Sequence, residues 1–225
     1  MKAVDGARPA LNVIMLGPPG AGKGTQAERL ARARGLTKIS TGDILREAVQ
    51  AGTEMGLAAK TTMEAGNLVP DDVMIGMVQE RLNRDDARAG FVLDGFPRNV
   101  AQAAVLDAMV NGRGPLVVLA MVVPEDILAR RLATRRICSK CGATAAVDWN
   151  VCGKCGGVLI ARVDDSIDIV RERLKIYLRQ SEPLVNFYST RGTFRAIDGN
   201  QPPDVVTAQV DAAIGAATSA AGASQ

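Results

Sequence analysis

Histidine is missing altogether from this chain of 225 residues, which excludes general-base chemistry by an imidazole. Aromatic residues make up only 3%, so the core must be mostly aliphatic, and few rings remain to stack on exposed nucleobases. The net charge is a mild +3 and no dense basic block occurs, so no nucleic-acid partner is expected. Long apolar runs are also lacking. The longest, Leu116–Val123, is far below the ~20 residues that cross a bilayer. The opening MKAVDGARPA has no apolar region of the kind a secretory signal needs. These absences predict a soluble, cytoplasmic protein with no membrane partner. Cysteine is scarce too: all four lie between positions 138 and 155, which argues for a metal site rather than scattered disulfides.

What is present is an ordinary globular share of hydrophobic residues, 47%, and a basic inventory of 27 residues that is mostly arginine. Planar, permanently charged guanidinium groups suit phosphate recognition. Residues 1–10 read as a loose arm. Continuous aliphatic runs at 11–17, 36–40, 91–97, 116–123 and 194–199 read as strands. Helical spacing covers about 23–34, 41–52, 55–66, 71–82 and 99–111, then Pro124 to about Arg136, Ser166 to Tyr188, and 203–216. Thr41 or Asp43 is expected to cap the second helix, and the small polar tail from 216 onward to fray. Alternating strands and helices predict an α/β fold, with a parallel sheet covered on both faces and its ligands at the carboxyl ends of the strands. The glycine- and cysteine-rich stretch 137–162 interrupts that alternation and reads as an inserted flap.

Between the first strand and the first helix stands GPPGAGKGTQ, residues 17–26. Gly20, Ala21, Gly22 and Lys23 fit the phosphate-binding pattern G-x-x-x-x-G-K-[ST], but Gly24 occupies the hydroxyl position and Thr25 follows one residue late. Glycines let backbone N–H groups approach phosphate oxygens, the helix N-terminus adds partial positive charge, and Lys23 can reach the β- and γ-phosphates.

The displaced threonine, with ISTGDILR (39–46), GNLVPDDV (66–73), DGFPRN (94–99) followed by Gln102, RVDD (162–165), VRERL (170–174) and IDG (197–199), resembles the adenylate kinases and close nucleoside monophosphate kinases. The resemblance runs in order from about 11 to 210. It implies a five-stranded core of the P-loop type, formed by 1–39, 70–133 and 166–225, an AMP-binding insert at 40–69 and a lid at 134–165. It implies phosphoryl transfer from Mg-ATP to AMP, giving two ADP, in a monomer. By the same resemblance Arg46 and Arg98 hold the AMP phosphate, while Lys23, Arg135, Arg162 and Arg173 surround the transferred group, with Arg131 a further candidate. AMP is also met by Thr41, Asn67, Leu68, Val69, Gly95, Phe96, Pro97, Gln102, Arg162 and Arg173. ATP is met by the loop residues 20–25, Arg135, Thr144, Ala145 and Gln201. Because Gly24 offers no hydroxyl, Mg²⁺ is implied to be held by phosphates and water, with Asp94 as outer support. The acceptor is already an anion, so no alcohol has to be deprotonated and the missing histidine is no obstacle. A relative preferring another nucleoside monophosphate is the neighbouring reading; a P-loop ATPase leaves DGFPR and RVDD unexplained.

Cys138, Cys141, Cys152 and Cys155 form C-x₂-C-x₁₀-C-x₂-C, each pair followed by glycine. Four thiolates with no open position predict a structural, tetrahedral Zn²⁺ site. The gap between the pairs is shorter than in zinc-bearing members of the family, which predicts a truncated lid. Thr144-Ala145 stands where such lids often carry Thr-Tyr, so an aromatic contact to ATP is lost.

Overall fold

The computed structural model describes residues 10–65, 67–145, 149–162 and 165–222. The arm before Ala10, Gly66, residues 146–148, the middle two residues of RVDD and the last three residues lie outside that set.

Among the described residues, five strands and six helices build the main sheet and its two faces. β1 (Leu11–Leu16), β2 (Thr37–Ser40), β3 (Gly90–Asp94), β4 (Leu116–Val122) and β7 (Phe194–Asp198) form one parallel sheet in the order β2-β3-β1-β4-β7. Side chains alternate across it, and both faces are apolar. Ile14, Leu16, Ile39, Phe91, Leu93, Val118 and Ala120 pack under α4 (Asp71–Leu82), α5 (Val100–Val110) and α8 (Pro183–Ser189). Val13, Met15, Val92, Val117, Leu119 and Met121 pack under α1 (Lys23–Arg34), α6 (Glu125–Ala133) and α9 (Pro203–Gly222). Burial on both sides is why the three inner strands, β3, β1 and β4, read as largely apolar runs, whereas the edge strands β2 and β7 carry half-buried and exposed residues. The neighbours of β1 are reached in opposite directions, so a crevice opens at its carboxyl end. The glycine loop sits there.

Outside the sheet, α2 (Thr41–Gln50) packs on α3 (Glu54–Glu64). β5 (Arg136–Cys138) and β6 (Leu159–Ala161) pair antiparallel as a short hairpin, and α7 (Ile167–Ile176) returns the chain to the core. No helix among the described residues is long and apolar enough to cross a membrane.

Four expectations change. The cap of α2 is Ser40, whose Oγ accepts from the Asp43 N–H at 3.2 Å, so Thr41 is already inside the helix. The α6 helix stops at Ala133 rather than near Arg136: the Thr134 hydroxyl donates to Arg130 O at 3.0 Å, competing for a carbonyl of the last turn, and Arg136 enters β5. The expected single helix from 166 to 188 is broken. Pro183 has no N–H and its ring crowds the preceding turn, so the ladder widens to Glu182 N–H bonding Tyr177 O at 2.9 Å before α8 starts. Finally, α9 runs on through Gly222 instead of fraying from 216, because alanine is the best helix former and Ile214 and Ala217 are fully buried.

Candidate active site

The loop after β1 ends on Gly22, which takes a left-handed φ of 92° and offers α1 no side-chain cap. The first N–H groups of α1 are therefore left for an anion. Lys23 folds back so that its Nζ donates to Gly17 O at 2.7 Å and Pro18 O at 2.9 Å, using two of its three N–H bonds. Desolvation of the ammonium lowers its pKa to about 8. Nearby Asp94 works against that shift, and the charges of Arg173, Arg98 and Arg135 add to it. Lys23 on α1 is thus within electrostatic reach of Asp94 at the end of β3, Arg173 on α7, and Arg98 and Arg135 in the segments after β3 and α6.

Asp94 closes the floor. Its Oδ2 lies 3.3 Å from where a Cβ on Gly24 would stand, so the carboxylate occupies the space beside the missing loop hydroxyl. A carboxylate there fits a hydrated divalent cation bridging phosphates.

The arginines are held by a residue for which the sequence reading gave no role. Asp165, only 4% exposed, takes Arg135 Nε at 2.6 Å and Nη2 at 2.5 Å, and Arg173 Nη1 at 3.2 Å. One buried carboxylate thus holds two guanidinium groups side by side. Its backbone N–H bonds Arg162 O at 3.2 Å, which places Arg162 at the same corner. The signal was present in RVDD, but the partners are 30 and 8 residues away. Arg131 donates to Gly199 O at 2.9 Å, tying α6 to the turn after β7, where a Cβ on Gly199 would stand 3.1 Å from the loop carbonyl of Ala21.

The second patch lies between β3, α2 and α5. Arg98 Nε donates to Gly95 O at 2.7 Å, and Arg46 pairs with Asp43. Thr41 is fully buried and its Oγ1 has no hydrogen-bond partner. A Cβ on Gly95 would fall 2.6 Å from that hydroxyl, so a side chain there would fill the cradle. Gln102 is 1% exposed and already engaged: its Oε1 accepts from Arg98 N–H at 2.7 Å and its Nε2 donates to Asp71 Oδ1 at 2.7 Å. Phe96 and Pro97 are buried between these groups in sequence. Asn67 is exposed, Leu68 half-buried and Val69 buried where the chain returns from α3 to α4.

Thr144 and Ala145 pair with the first strand of the cysteine hairpin: Thr144 bridges Ile137, and Ala145 N–H bonds Arg136 O at 2.9 Å. Gln201 donates to Asp198 Oδ2 at 2.8 Å in the turn after β7. A chain of ions joins the hairpin to the core. Lys154, between the second cysteine pair, reaches Glu28 on α1 at 2.7 Å; Glu28 also meets Lys38 at 3.2 Å, and Lys38 meets Asp43 at 3.4 Å.

The four cysteine Sγ atoms lie within 4.8 Å of one another, with Cys138–Cys155 at 3.5 Å and Cys141–Cys152 at 3.6 Å. Four sulfurs around one tetrahedral Zn²⁺ at ~2.3 Å stand roughly 3.8 Å apart, so the cluster is compatible with a metal. The N–H groups of Lys140 and Cys141 donate to Cys138 Sγ at 3.3 and 3.4 Å, as suits a thiolate.

A family model described as adenylate kinase matches residues 15–193. An adenylate kinase of Archaeoglobus fulgidus is 46% identical over 210 residues, covering 90% of this chain and 97% of the relative. One from a Geobacillus species is 46% identical over 213 residues, covering 91% and 99%. One from Methanosarcina acetivorans is 47% identical over 204 residues, covering 87% and 94%.

Proposed function

We infer how the site works from one premise: this chain belongs to the adenylate kinase family and is a phosphotransferase that moves a phosphoryl group from ATP to AMP. The observation that carries the reading is the cluster of Lys23, Arg98, Arg135 and Arg173 around the open end of α1, with Asp94 and Asp165 between them. Four cations against two carboxylates leave an excess of positive charge where two phosphate chains would meet end to end.

Family membership and these positions support the following roles. The loop N–H groups of residues 20–25 and the third N–H of Lys23 bind the β- and γ-phosphates of ATP. Arg46 and Arg98 hold the AMP phosphate, and Arg135, Arg162 and Arg173 follow the charge of the moving group. Thr41, Gln102 and the backbone of residues 95–98 meet adenine, with the orphaned Thr41 hydroxyl taking a partner from the ligand. Residues 40–69 act as the AMP insert and 134–165 as the lid. Closure excludes water, which would otherwise compete as the acceptor. Thr144, Ala145 and Gln201 are the ATP-side contacts of lid and core.

Asp94 and water would hold Mg²⁺ with the nucleotide phosphates, and the ion would neutralise their charge. The cysteine cluster takes zinc as a structural ion, because four thiolates leave no position for substrate. This scheme works in a monomer in the cytoplasm, with no nucleic acid or membrane involved.

Offering AMP, GMP, CMP and UMP in turn with Mg-ATP tests the acceptor. AMP should exceed each of the others in kcat/KM by at least about 100-fold, because an unmatched base leaves buried polar groups unpaired. A preference for GMP would overturn the Thr41 and Gln102 assignment.

A further inference from the structure

Gln102 can read a base only if its amide points one way. An amide carries two lone pairs on oxygen and two N–H bonds on nitrogen. Here one lone pair is taken by the Arg98 N–H at 2.7 Å and one N–H by Asp71 Oδ1 at 2.7 Å. The two flanks are thus occupied, leaving one acceptor and one donor. That remaining pair matches adenine, whose amino group donates and whose N1 accepts. It mismatches guanine and hypoxanthine, whose O6 accepts and whose N1–H donates. Turning the amide over would reverse the preference.

Two contacts prevent the turn. A flipped amide would set N–H against the Arg98 N–H and oxygen against the Asp71 carboxylate. Asp71 is itself fixed. It stands at the first position of α4, and its other oxygen, Oδ2, accepts from Asn99 Nδ2 at 2.8 Å. Asn99 has no freedom to turn either, because its Oδ1 caps α5 by accepting the Gln102 backbone N–H at 2.9 Å. Asp71, Asn99, Gln102 and the Arg98 backbone close a ring of hydrogen bonds in which every donor and acceptor has one permitted sense. The only member carrying a charge is Asp71, and a bond to a charged acceptor is about twice as strong as a neutral one.

We propose that Asp71 is a positioning residue that sets base preference, holding the Gln102 amide in the sense that accepts adenine and rejects 6-oxopurines. It acts through Gln102 and touches no substrate atom. This rests on Gln102 meeting the acceptor base.

The test compares kcat/KM for AMP and for IMP, which differ at the edge in question. In Asp71→Ala the AMP-to-IMP ratio should fall by about tenfold or more, through loss of one charge-assisted hydrogen bond, with KM for ATP unchanged. A merely structural loss would lower both acceptors together and leave the ratio alone. In a Gln102→Leu background, Asp71→Ala should change the ratio no further. A ratio held within twofold by Asp71→Ala, while Gln102→Leu lowers it, overturns the positioning role and leaves the base assignment standing. A ratio that Gln102→Leu leaves unchanged overturns both. An undiminished effect of Asp71→Ala in the Gln102→Leu background also overturns the proposal. Should the alanine variant fail to fold, Asp71→Asn, which keeps the shape and removes the charge, is read by the same criteria.

Discussion

Lys23→Ala should lower kcat by about 100- to 1,000-fold or more, the cost of removing one preorganised donor from developing charge. Lys23 puts the only ammonium among the described cations at the mouth of the loop; the others are guanidinium groups. Its position costs stability. The folded pKa is near 8 against 10.5 for the free side chain, so between those values the unfolded chain binds the extra proton. Stability then rises with pH across that window, and below it the folded protein carries the full cost of a desolvated ammonium. Alanine removes that cost, so the melting temperature at pH 7 should hold or rise as activity disappears. A second readout follows from the same group. Nucleotide phosphates favour the protonated form, so binding of ATP at pH 8.5–9 should take up a proton, seen by calorimetry in buffers of different ionisation enthalpy. The uptake should vanish in Lys23→Ala. Retained turnover in that variant would sink the loop assignment.

Stripping metal from the cysteine cluster should have the other large effect. The β5–β6 hairpin has three residues per strand, and Val151, Val158 and Ile160 around it are exposed. Among its described residues only Cys138 and Cys152 are buried, at 1% and 2% exposure, so these give the hairpin almost no apolar core of its own. A structural zinc contributes folding free energy outright. For a chain of this size about 2–4 °C of melting temperature corresponds to 1 kcal/mol, so a loss of about 2.5 kcal/mol on chelation should lower Tm by roughly 5–10 °C. Activity should fall with it, since Arg135 leads into the hairpin and Asp165 follows it. The check is a thermal melt with and without chelator, alongside metal content by mass spectrometry. An unchanged melt in protein that never held metal would refute the site.

The parts of this structure that were readable from the chain are those set by neighbours in sequence. The five expected strands form one parallel sheet, and the three inner ones, β3, β1 and β4, were the plainest because burial on both faces imposes a nearly unbroken apolar pattern. The strand–glycine–lysine–helix order located the anion site, because that geometry is built within ten residues. What stayed hidden depends on distant partners. Asp165 and Asp71 were only letters in RVDD and PDD; their roles appear when Arg135 and Gln102, each about 30 residues away, are brought against them. Gln102 could be expected at the AMP site, but only folding shows one flank of its amide committed to Arg98 and the other to Asp71. Helix ends were misplaced for local reasons of similar strength. Ser40 and Thr41 are both good caps, and it is the extended Ser40 whose hydroxyl accepts the Asp43 N–H. Pro183 inside a strongly periodic stretch was outweighed by the period, although its missing N–H breaks the helix.

The central claim is that fixed cations gripping two nucleotides end to end suffice to move a phosphoryl group without a proton-abstracting side chain. Its most direct test is ADP formation by the purified chain from Mg-ATP, with and without AMP. The account predicts two ADP for each AMP consumed and no appreciable ADP when AMP is left out. ATP left intact in the presence of AMP, or ADP and inorganic phosphate released at the same rate without it, would contradict it.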